Sequence, residues 1–508
     1  KQPVSDSGEE SYPIDSQSQE KEEEDEDQGG TGEQGEQLPQ NDDLEVETDT
    51  ASTNNIQDLV DSNASSSQYL EFADLDLTKI VNSNKEVHDY LEDFWKPYSE
   101  EDFSLADSKY EIFKNSSQKE VNYLVKEFEM KKAASSYARA SVSRTGVLDC
   151  TKLHTYKYNE DLFKKVTTLP DGKNHGLVFV LDWSGSMNSV LEDTVKQLYS
   201  LIWFCKKVGI PFGVYTFTQQ FNVVHVDYDK FGRIEPEPYY NRTQGSFNIS
   251  NEFSLMEFFT SNTSQKVLDR QMKNIHRVVI SQRHYNTPIE PPRLGLSGTP
   301  LNETILTLRQ LIPSLQSKWN VEKIQCVMLT DGESNHLTAD RWIPREEEGY
   351  ICNRGPGYTG RWSRRRLHPT RDFIRNRKSG VTYAVSPKYW DFTNTLVQCV
   401  KDELPFVNFI GIRLLNGRDA HEFIRKYNGH SLESGKLIGE WKKNKSISLK
   451  MVGYDAYFGI SSHSLSTDTT FDVDEGATKA KIKSAFIKSL KTKKLNKKVL
   501  NEFVDLIS

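Results

Sequence analysis

Short apolar segments alternate along the chain with helical patterns, and this alternation constrains the fold more than any other feature. Each segment is continuously apolar and rich in β-branched residues, as expected for a parallel-sheet strand buried on both faces. The segments are GLVFVLDW, IPFGVYTF, NVVHV, IQCVMLTD and VNFIGIRLL, which begin at residues 176, 210, 222, 324 and 407. Helical stripes separate several of them, as in TPLNETILTLRQLIPSL, where Pro300 lies in the first turn. The alternation predicts an α/β domain over residues 171–460 with a doubly wound, mostly parallel sheet.

Four other regions flank or interrupt this domain. Residues 69–170 predict a helical segment, because apolar residues recur at helical spacing in SSQKEVNYLVKEFEMKKAASSYARAS before a polar loop. Two stretches, near 227–292 and 333–403, are too long for ordinary connections, and we expect them to be insertions. Residues 461–508 include the basic sequence KTKKLNKKVLNEFVDLIS, for which we expect a helical tail.

The charge of the chain is distributed unevenly. The first 50 residues contain 18 Asp and Glu against two lysines, a net charge of −16, so the other 458 residues carry +7 of the total of −9. Residues 1–68 contain few apolar side chains to offset the entropy of ordering, which predicts a disordered acidic tail. Two roles stay open for this tail: a solubilising linker, or an acidic arm for a basic partner.

The cysteine pattern and the hydropathy of the chain indicate in which cellular compartment the protein is expected. The five cysteines are widely spaced and form no C-x-x-C pair: Cys150, Cys205, Cys326, Cys352 and Cys399. This pattern predicts reduced, mostly buried thiols. The sequence shows no signal peptide and no apolar run approaching the length of a membrane span. Together these features predict a cytoplasmic protein.

Acidic and hydroxyl side chains follow three of the predicted elements. Asp182, Ser184 and Ser186 form a D-x-S-x-S pattern at the end of the first strand, Asp331 ends IQCVMLTD, and Thr299 precedes a helix. Ligands of doubly wound sheets bind at the carboxyl ends of the strands, so we expect these side chains to meet there. Two carboxylates and three hydroxyls suit a hard divalent cation, Mg²⁺ or Mn²⁺. The five residues therefore predict a metal site with an open position for an external carboxylate.

These five residues resemble the metal-ion-dependent adhesion site of von Willebrand factor A (VWA) domains. Further motifs resemble the C-terminal half of the CobT subunits of aerobic cobaltochelatases: EFEMKKAASSYARASVSRTGVLD, YNEDLFKK, DGKNHGLVFVLDWSGSM and SGTPLNETI. The resemblance covers about residues 105–332 and, more loosely, 404–430. The acidic segment ahead of the domain also resembles the acidic low-complexity segment that precedes the VWA domain in that family. The Lys-rich ending resembles versions carried by large tailed bacteriophages.

The resemblance implies a non-catalytic adaptor subunit. Subunits of this family pair with a MoxR-type AAA+ ATPase in a ring-shaped hetero-oligomer, which acts on a large subunit that inserts Co²⁺ into a corrin ring in cobalamin biosynthesis. By resemblance, the five residues would bind Mg²⁺ or Mn²⁺, and an Asp or Glu of a partner would complete the metal's shell. The implied location is the cytoplasm of a bacterial cell or of a phage-infected host. The resemblance places the nucleotide site in the partner, and the P-loop-like GHSLESGKL has Leu437 where a Ser or Thr would hold Mg²⁺.

A basic stretch from Arg354 to Lys378 contains nine Lys and Arg against one acidic residue, interleaved with Tyr, Trp and Phe. Three interpretations stay open: a solvated basic hairpin, contact with an acidic protein, or binding to nucleic acid. The hairpin is favoured, and we do not expect nucleic acid as a partner. Two functions therefore stand beside the adaptor. One is a free-standing metal-dependent protein-binding module without chelatase activity, and the other is a nucleic-acid-associated protein that uses this stretch.

Overall fold

The computed structural model describes residues 67–139, 141–148, 163–168, 174–222, 228–229, 232–233, 238–283, 289–345, 359–386, 388, 391–415, 419–429 and 431–462. The acidic and basic tails predicted for 1–68 and 461–508 therefore lie outside the described residues, except for two positions of each. The strand predicted at NVVHV falls outside them from residue 223 onward, and Cys150 and Cys352 do too. No helix within these ranges is both long enough and apolar enough to cross a membrane.

The α-helices are α1 (Leu77–Ile80), α2 (Asn84–Trp95), α3 (Ser104–Arg139), α4 (Leu191–Val208), α5 (Gln265–Arg283), α6 (Leu301–Trp319), α7 (Phe392–Glu403), α8 (Asp419–Asn428) and α9 (Leu432–Asn444). Within the described residues, 3₁₀ turns span Glu100–Phe103, Gly185–Ser189 and Pro292–Leu294. Local signals explain several boundaries. Ser83 and Glu86 form a capping box at the start of α2, and Gly209 ends α4 with a φ of 79°. Pro300 is the residue just before α6, one position earlier than a first-turn proline.

The strands are β1 (Gln68–Leu70), β2 (Val81–Asn82), β3 (Ser141–Leu148), β4 (Phe163–Thr168), β5 (His175–Asp182), β6 (Phe212–Thr218), β7 (Tyr228–Asp229), β8 (Gly232–Arg233), β9 (Phe247–Asn248), β10 (Ser254–Thr260), β11 (Lys323–Thr330), β12 (Thr338–Pro344), β13 (Gly360–Arg366), β14 (Asp372–Arg375), β15 (Thr382–Ala384), β16 (Val407–Leu415), β17 (Ser446–Leu449) and β18 (Ala456–Ser461). Eight of them form one sheet in the order β17-β18-β16-β11-β5-β6-β10-β2. Its five central strands, β18 to β6, are parallel to one another, whereas β17 and β10 run antiparallel to their inner neighbours. The predicted α/β class with a large, mostly parallel sheet is confirmed.

Apolar side chains cover both faces of this sheet. In β5, Leu177, Phe179 and Leu181 belong to one buried cluster, which also contains side chains of α2, α3, α4 and α5. The alternate residues Val178 and Val180 belong to a second cluster, with side chains of α6 and α7. This two-sided burial explains why the central strands are continuously apolar.

The predicted segment boundaries differ from the structure in physically informative ways. Strand β10 and helix α5 lie inside 227–292, yet β10 pairs with β6 in the main sheet and α5 contributes to the first core cluster. Within 333–403, helix α7 likewise packs into the second cluster. These elements belong to the body of the domain rather than to insertions. In 69–170, helices α1 to α3 are accompanied by strands, and the expected polar loop contains β3 paired antiparallel with β4.

The basic stretch, described from residue 359, contributes to two three-stranded sheets, β13-β12-β9 and β1-β14-β15. The predicted hairpin around residues 378–380 is confirmed, because β14 pairs antiparallel with β15. Several of its basic residues already have acidic partners: Arg365 Nη1 is 2.7 Å from the buried Asp372 carboxylate, and Arg377 Nη2 is 2.6 Å from Glu71. Part of the basic charge therefore stabilises these small sheets.

Candidate metal centre

The predicted site residues lie at the carboxyl ends of two neighbouring strands. Asp182 is the last residue of β5, and Asp331 follows the last residue of the adjacent parallel strand β11. The segment carrying Thr299 is attached to the same place by a parallel bridge between Ser184 and Ser297. In this bridge the Gly185 amide donates to the Ser297 carbonyl at 2.9 Å. Three separate parts of the chain are thus fixed side by side.

A chain of hydrogen bonds connects four of the five predicted residues. The backbone amide of Ser184 donates to Asp182 Oδ1 at 3.0 Å. The Ser184 and Ser186 hydroxyl oxygens are 3.0 Å apart, and the Ser186 hydroxyl donates to Asp331 Oδ1 at 2.7 Å. The structure therefore brings Asp182, Ser184, Ser186 and Asp331 together as the sequence predicted.

Thr299, the fifth predicted residue, meets the others across Gly332. A Cβ atom placed on Gly332 would lie 3.9 Å from Ser186 Oγ and 3.9 Å from Thr299 Oγ1. Both distances correspond to ordinary van der Waals contact, so Gly332 lies between two hydroxyl oxygens that come from different segments. The Asn335 amide donates to the Thr299 carbonyl at 2.8 Å and holds this part of the chain in place.

The two carboxylates lie where negative charge is poorly solvated. Asp182 is fully buried, and this burial, reinforced by the nearby charge of Asp331, raises its pKa to about 6. Hydrogen bonds from Thr330 and Ser184 act in the opposite direction. Burial also raises the pKa of Asp331, against the lowering effects of the Ser186 hydroxyl and the Arg413 charge. A cation between these acids would relieve an unfavourable concentration of negative charge.

The donor set fits a hard divalent cation. Among the described residues, no three His, Cys, Asp or Glu side chains cluster as a metal site, so this centre would rely on hydroxyl oxygens as well as carboxylates. Oxygen-only donors suit Mg²⁺ and Mn²⁺ rather than Zn²⁺. Ser186 is exposed and Asp331 half-buried, whereas Asp182 and Ser184 are buried. Among these four residues, the exposed surface therefore lies on the Ser186 and Asp331 side.

Sequence reasoning missed three contributors. The Thr330 hydroxyl donates to Asp182 Oδ2 at 2.7 Å, and Gly332 lies between the Ser186 and Thr299 hydroxyls. Trp183, fully buried, donates from Nε1 to the Leu294 carbonyl at 2.7 Å and anchors the loop that carries the two serines. Thr330 and Gly332 flank Asp331 directly, so their position next to a predicted ligand was the available signal. The link from Trp183 to residue 294 depends on tertiary structure alone.

No protein-family model and no curated protein sequence matches the chain. Among solved structures, the chain is similar to the pilus adhesin SpaC from Lactobacillus rhamnosus GG in an open conformation. This likeness has 16% identity and a TM-score of 0.23, over 48% of this chain and 24% of that one. It is also similar to the pilus adhesin RrgA from Streptococcus pneumoniae, with 11% identity and a TM-score of 0.23, over 60% of this chain and 52% of that one. The chain thus spans about a quarter and about half the length of these adhesins. Likenesses this low carry no argument about fold or function.

Proposed function

We propose that this chain is a non-catalytic adaptor with a VWA-type domain, which binds a carboxylate of a partner protein through a Mg²⁺ or Mn²⁺ ion. The observation that carries the proposal is the hydrogen-bonded series from Asp182 through Ser184 and Ser186 to Asp331, with Thr299 across Gly332. This arrangement supplies two carboxylates and three hydroxyls. It leaves the exposed side for an external ligand.

The order of the strands supports a doubly wound arrangement. Counted from β5, the chain continues with β6 and β10 on one side, and with β11, β16 and β18 on the other. The order therefore reverses between β5 and β11, and ligands of such sheets bind at this switch point. Asp182 and Asp331 follow or end these two strands.

Each protein group has a defined part in the proposed binding. Asp182 and Asp331 provide negative charge, and the three hydroxyls provide neutral oxygens, so the bound cation keeps part of its positive charge. When bound, the metal supplies an electrophilic site for one more oxygen ligand. Thr330 and the Ser184 amide orient the Asp182 carboxylate, and the Ser186 hydroxyl orients that of Asp331. A partner carboxylate then gains both coordination and charge neutralisation.

The larger assembly is part of the proposal and rests on the motif resemblance. We infer a partnership with a MoxR-type AAA+ ATPase in a complex of the cobaltochelatase type, in which cobalt would be cargo of another subunit. The described cysteines, Cys205, Cys326 and Cys399, are free and buried, in keeping with the reducing cytoplasm proposed as the location. The alternative is a metal-dependent protein-binding module without chelatase activity.

Metal binding can be tested directly by titrating the protein with Mn²⁺ and following free Mn²⁺ by electron paramagnetic resonance. We expect one site, weakened about tenfold or more by Ser186→Ala and by Asp331→Asn, because each removes a ligand (about 1.4 kcal/mol per tenfold). Ser189→Ala, in the same 3₁₀ turn, is the matched control and should bind normally. Binding that is indifferent to all three changes would refute the assignment.

The adaptor role is tested by capturing partners from a lysate that contains the products of neighbouring genes. A AAA+ ATPase retained with Mg²⁺, and released by EDTA or by Ser186→Ala, is the expected result. Metal-dependent capture of other proteins without such an ATPase would favour the free-standing module instead. If the ATPase is captured equally well with EDTA and by Ser186→Ala, the partnership does not depend on the metal centre.

A further inference from the structure

A cleft opens beside the candidate metal centre, at the carboxyl ends of β11 and β16. Thr330 and Gly332 line it; Thr330 also orients Asp182, and Gly332 lies between the Ser186 and Thr299 hydroxyls. Arg413, near the end of β16, lines the same cleft. The cleft therefore shares Thr330 and Gly332 with the surroundings of the metal centre, although the five predicted ligands themselves do not line it.

The lining of the cleft includes aromatic side chains. Tyr427 at the end of α8, Tyr454 in the loop before β18 and Tyr457 in β18 all line it. The Tyr454 and Tyr457 rings are 4.9 Å apart in a T-shaped contact, and the Phe423 ring lies behind them, 6.2 Å from Tyr457. These rings offer an apolar surface beside the Arg413 guanidinium.

Arg413 is a largely buried cation near two carboxylates, those of Glu333 and Asp331. Its side chain is 13% exposed and lies over the Phe423 ring at 5.1 Å. Its nearest carboxylate oxygen, Glu333 Oε1, is 3.9 Å from Nη2, beyond hydrogen-bonding distance, and the same oxygen already accepts from Lys426. The Nε atom of Arg413 is buried with no hydrogen-bond partner among the described residues. Planar guanidinium groups of this kind favour a carboxylate that can accept two hydrogen bonds.

We propose that this cleft is a second anion subsite, in which Arg413 binds a second carboxylate of the partner segment whose first carboxylate coordinates the metal. The inference rests on the proposed function and adds to it the chemistry of the partner. The partner presents two acidic groups close together, such as neighbouring Asp or Glu side chains or one such side chain beside a chain terminus. One carboxylate completes the metal's shell, and the other pairs with the guanidinium between Glu333 and the tyrosines.

The test uses short acidic peptides with the full-length protein loaded with Mn²⁺. Each probe, of the form acetyl-Gly-Glu-X-Gly-amide or with one or two glycines inserted before X, is compared with X as Glu and as Gln. Isothermal titration calorimetry measures binding of each pair. We expect at least one Glu peptide to bind about tenfold more tightly than its Gln partner, in line with a charge-assisted hydrogen bond.

Three variants test whether the preference for Glu peptides depends on the Arg413 guanidinium. Arg413→Met keeps the apolar stem against Phe423 and should bind both peptides of a pair equally, at the weaker level. Arg413→Lys keeps the charge without the planar fork and should retain part of the preference. Arg425→Met, an exposed arginine on the neighbouring helix α8 that does not line the cleft, should behave like the unchanged protein.

Three results would overturn the subsite while leaving the metal centre intact. The first is metal-dependent binding in which no Glu peptide is preferred over its Gln partner. The second is a preference that survives Arg413→Met. Loss of Mn²⁺ affinity in Arg413→Met would also overturn it, because Arg413 would then act through Asp331. Failure of the unchanged protein to bind Mn²⁺ at all would instead refute the metal centre, and the subsite with it.

Discussion

His276 gives the fold a pH dependence that can be isolated in one variant. This residue of α5 is fully buried, with its ring 5.8 Å from that of Tyr110, and neither ring nitrogen has a hydrogen-bond partner of good geometry among the described residues. Burial lowers its pKa from 6.5 to about 4. The neighbouring charges partly cancel, since Glu192 raises the pKa whereas Lys196 and Lys109 lower it; the Ala106 backbone raises it slightly.

The sign follows from which state takes up the proton first. The unfolded chain protonates this histidine near pH 6.5, whereas the folded chain does so only near pH 4, so acidification favours unfolding. The stabilisation is fully present above pH 6.5 and is lost as the pH falls toward 4. One pH unit within this window is worth about 1.4 kcal/mol. Between pH 7 and pH 5 the free energy of unfolding should therefore fall by about 2 kcal/mol through this residue alone.

Guanidinium denaturation followed by tryptophan fluorescence at pH 7 and pH 5 measures the effect. The loss of stability between the two pH values should be about 2 kcal/mol smaller in His276→Leu than in the unchanged protein, because all other titrating groups are common to both. Met272→Leu, a buried neighbour on the same helix, controls for altered packing and should keep the full loss. Identical losses in all three proteins would refute the reasoning.

Three further predictions concern folding. Gly453→Ala should lower the free energy of unfolding by about 2 kcal/mol or more, because Gly453 has a φ of 84° and a Cβ would lie 2.6 Å from the Gln398 amide nitrogen; chemical denaturation would show it. Trp183→Phe should cost about 1–3 kcal/mol in the same assay, since it leaves the Leu294 carbonyl without the indole donor. Arg365→Met should cost about 3–5 kcal/mol by leaving the buried Asp372 carboxylate without its cation, and adding Asp372→Asn to that variant should restore part of the loss. An unchanged midpoint in any of these cases would contradict the assigned contact.

The central strands could be predicted because strands buried on both faces are composed almost entirely of apolar residues. The predicted segment beginning at residue 407 coincides with β16, and GLVFVLDW overlaps β5, since strands covered on both faces must be continuously apolar. Strand β10 escaped prediction because its sequence, SLMEFFT, lies in a long segment without a regular strand–helix pattern and runs antiparallel to β6. Propensity does not encode which strands become neighbours.

The candidate site, too, has residues that the sequence could predict and residues that depend on tertiary structure. Asp182, Ser184, Ser186 and Asp331 could be predicted because carboxyl ends of parallel strands meet in space. The approach of Thr299 across Gly332 depends on how two loops fold together, and this is a tertiary property. Arg413, far along the chain from the other residues, carried no local motif that would mark it as a neighbour of the site.

The strands at both edges of the main sheet are very short. Strand β2 contributes only two residues beside β10, and β17 contributes four beside β18. A short outer strand presents few unpaired backbone groups to strands of other molecules. Strand β2 pairs with only Leu255 and Met256 of β10, so shortening the chain to begin at α2 would remove the strand partner of these two residues. Short strands at both edges therefore limit how much backbone the sheet can pair with a strand of another molecule.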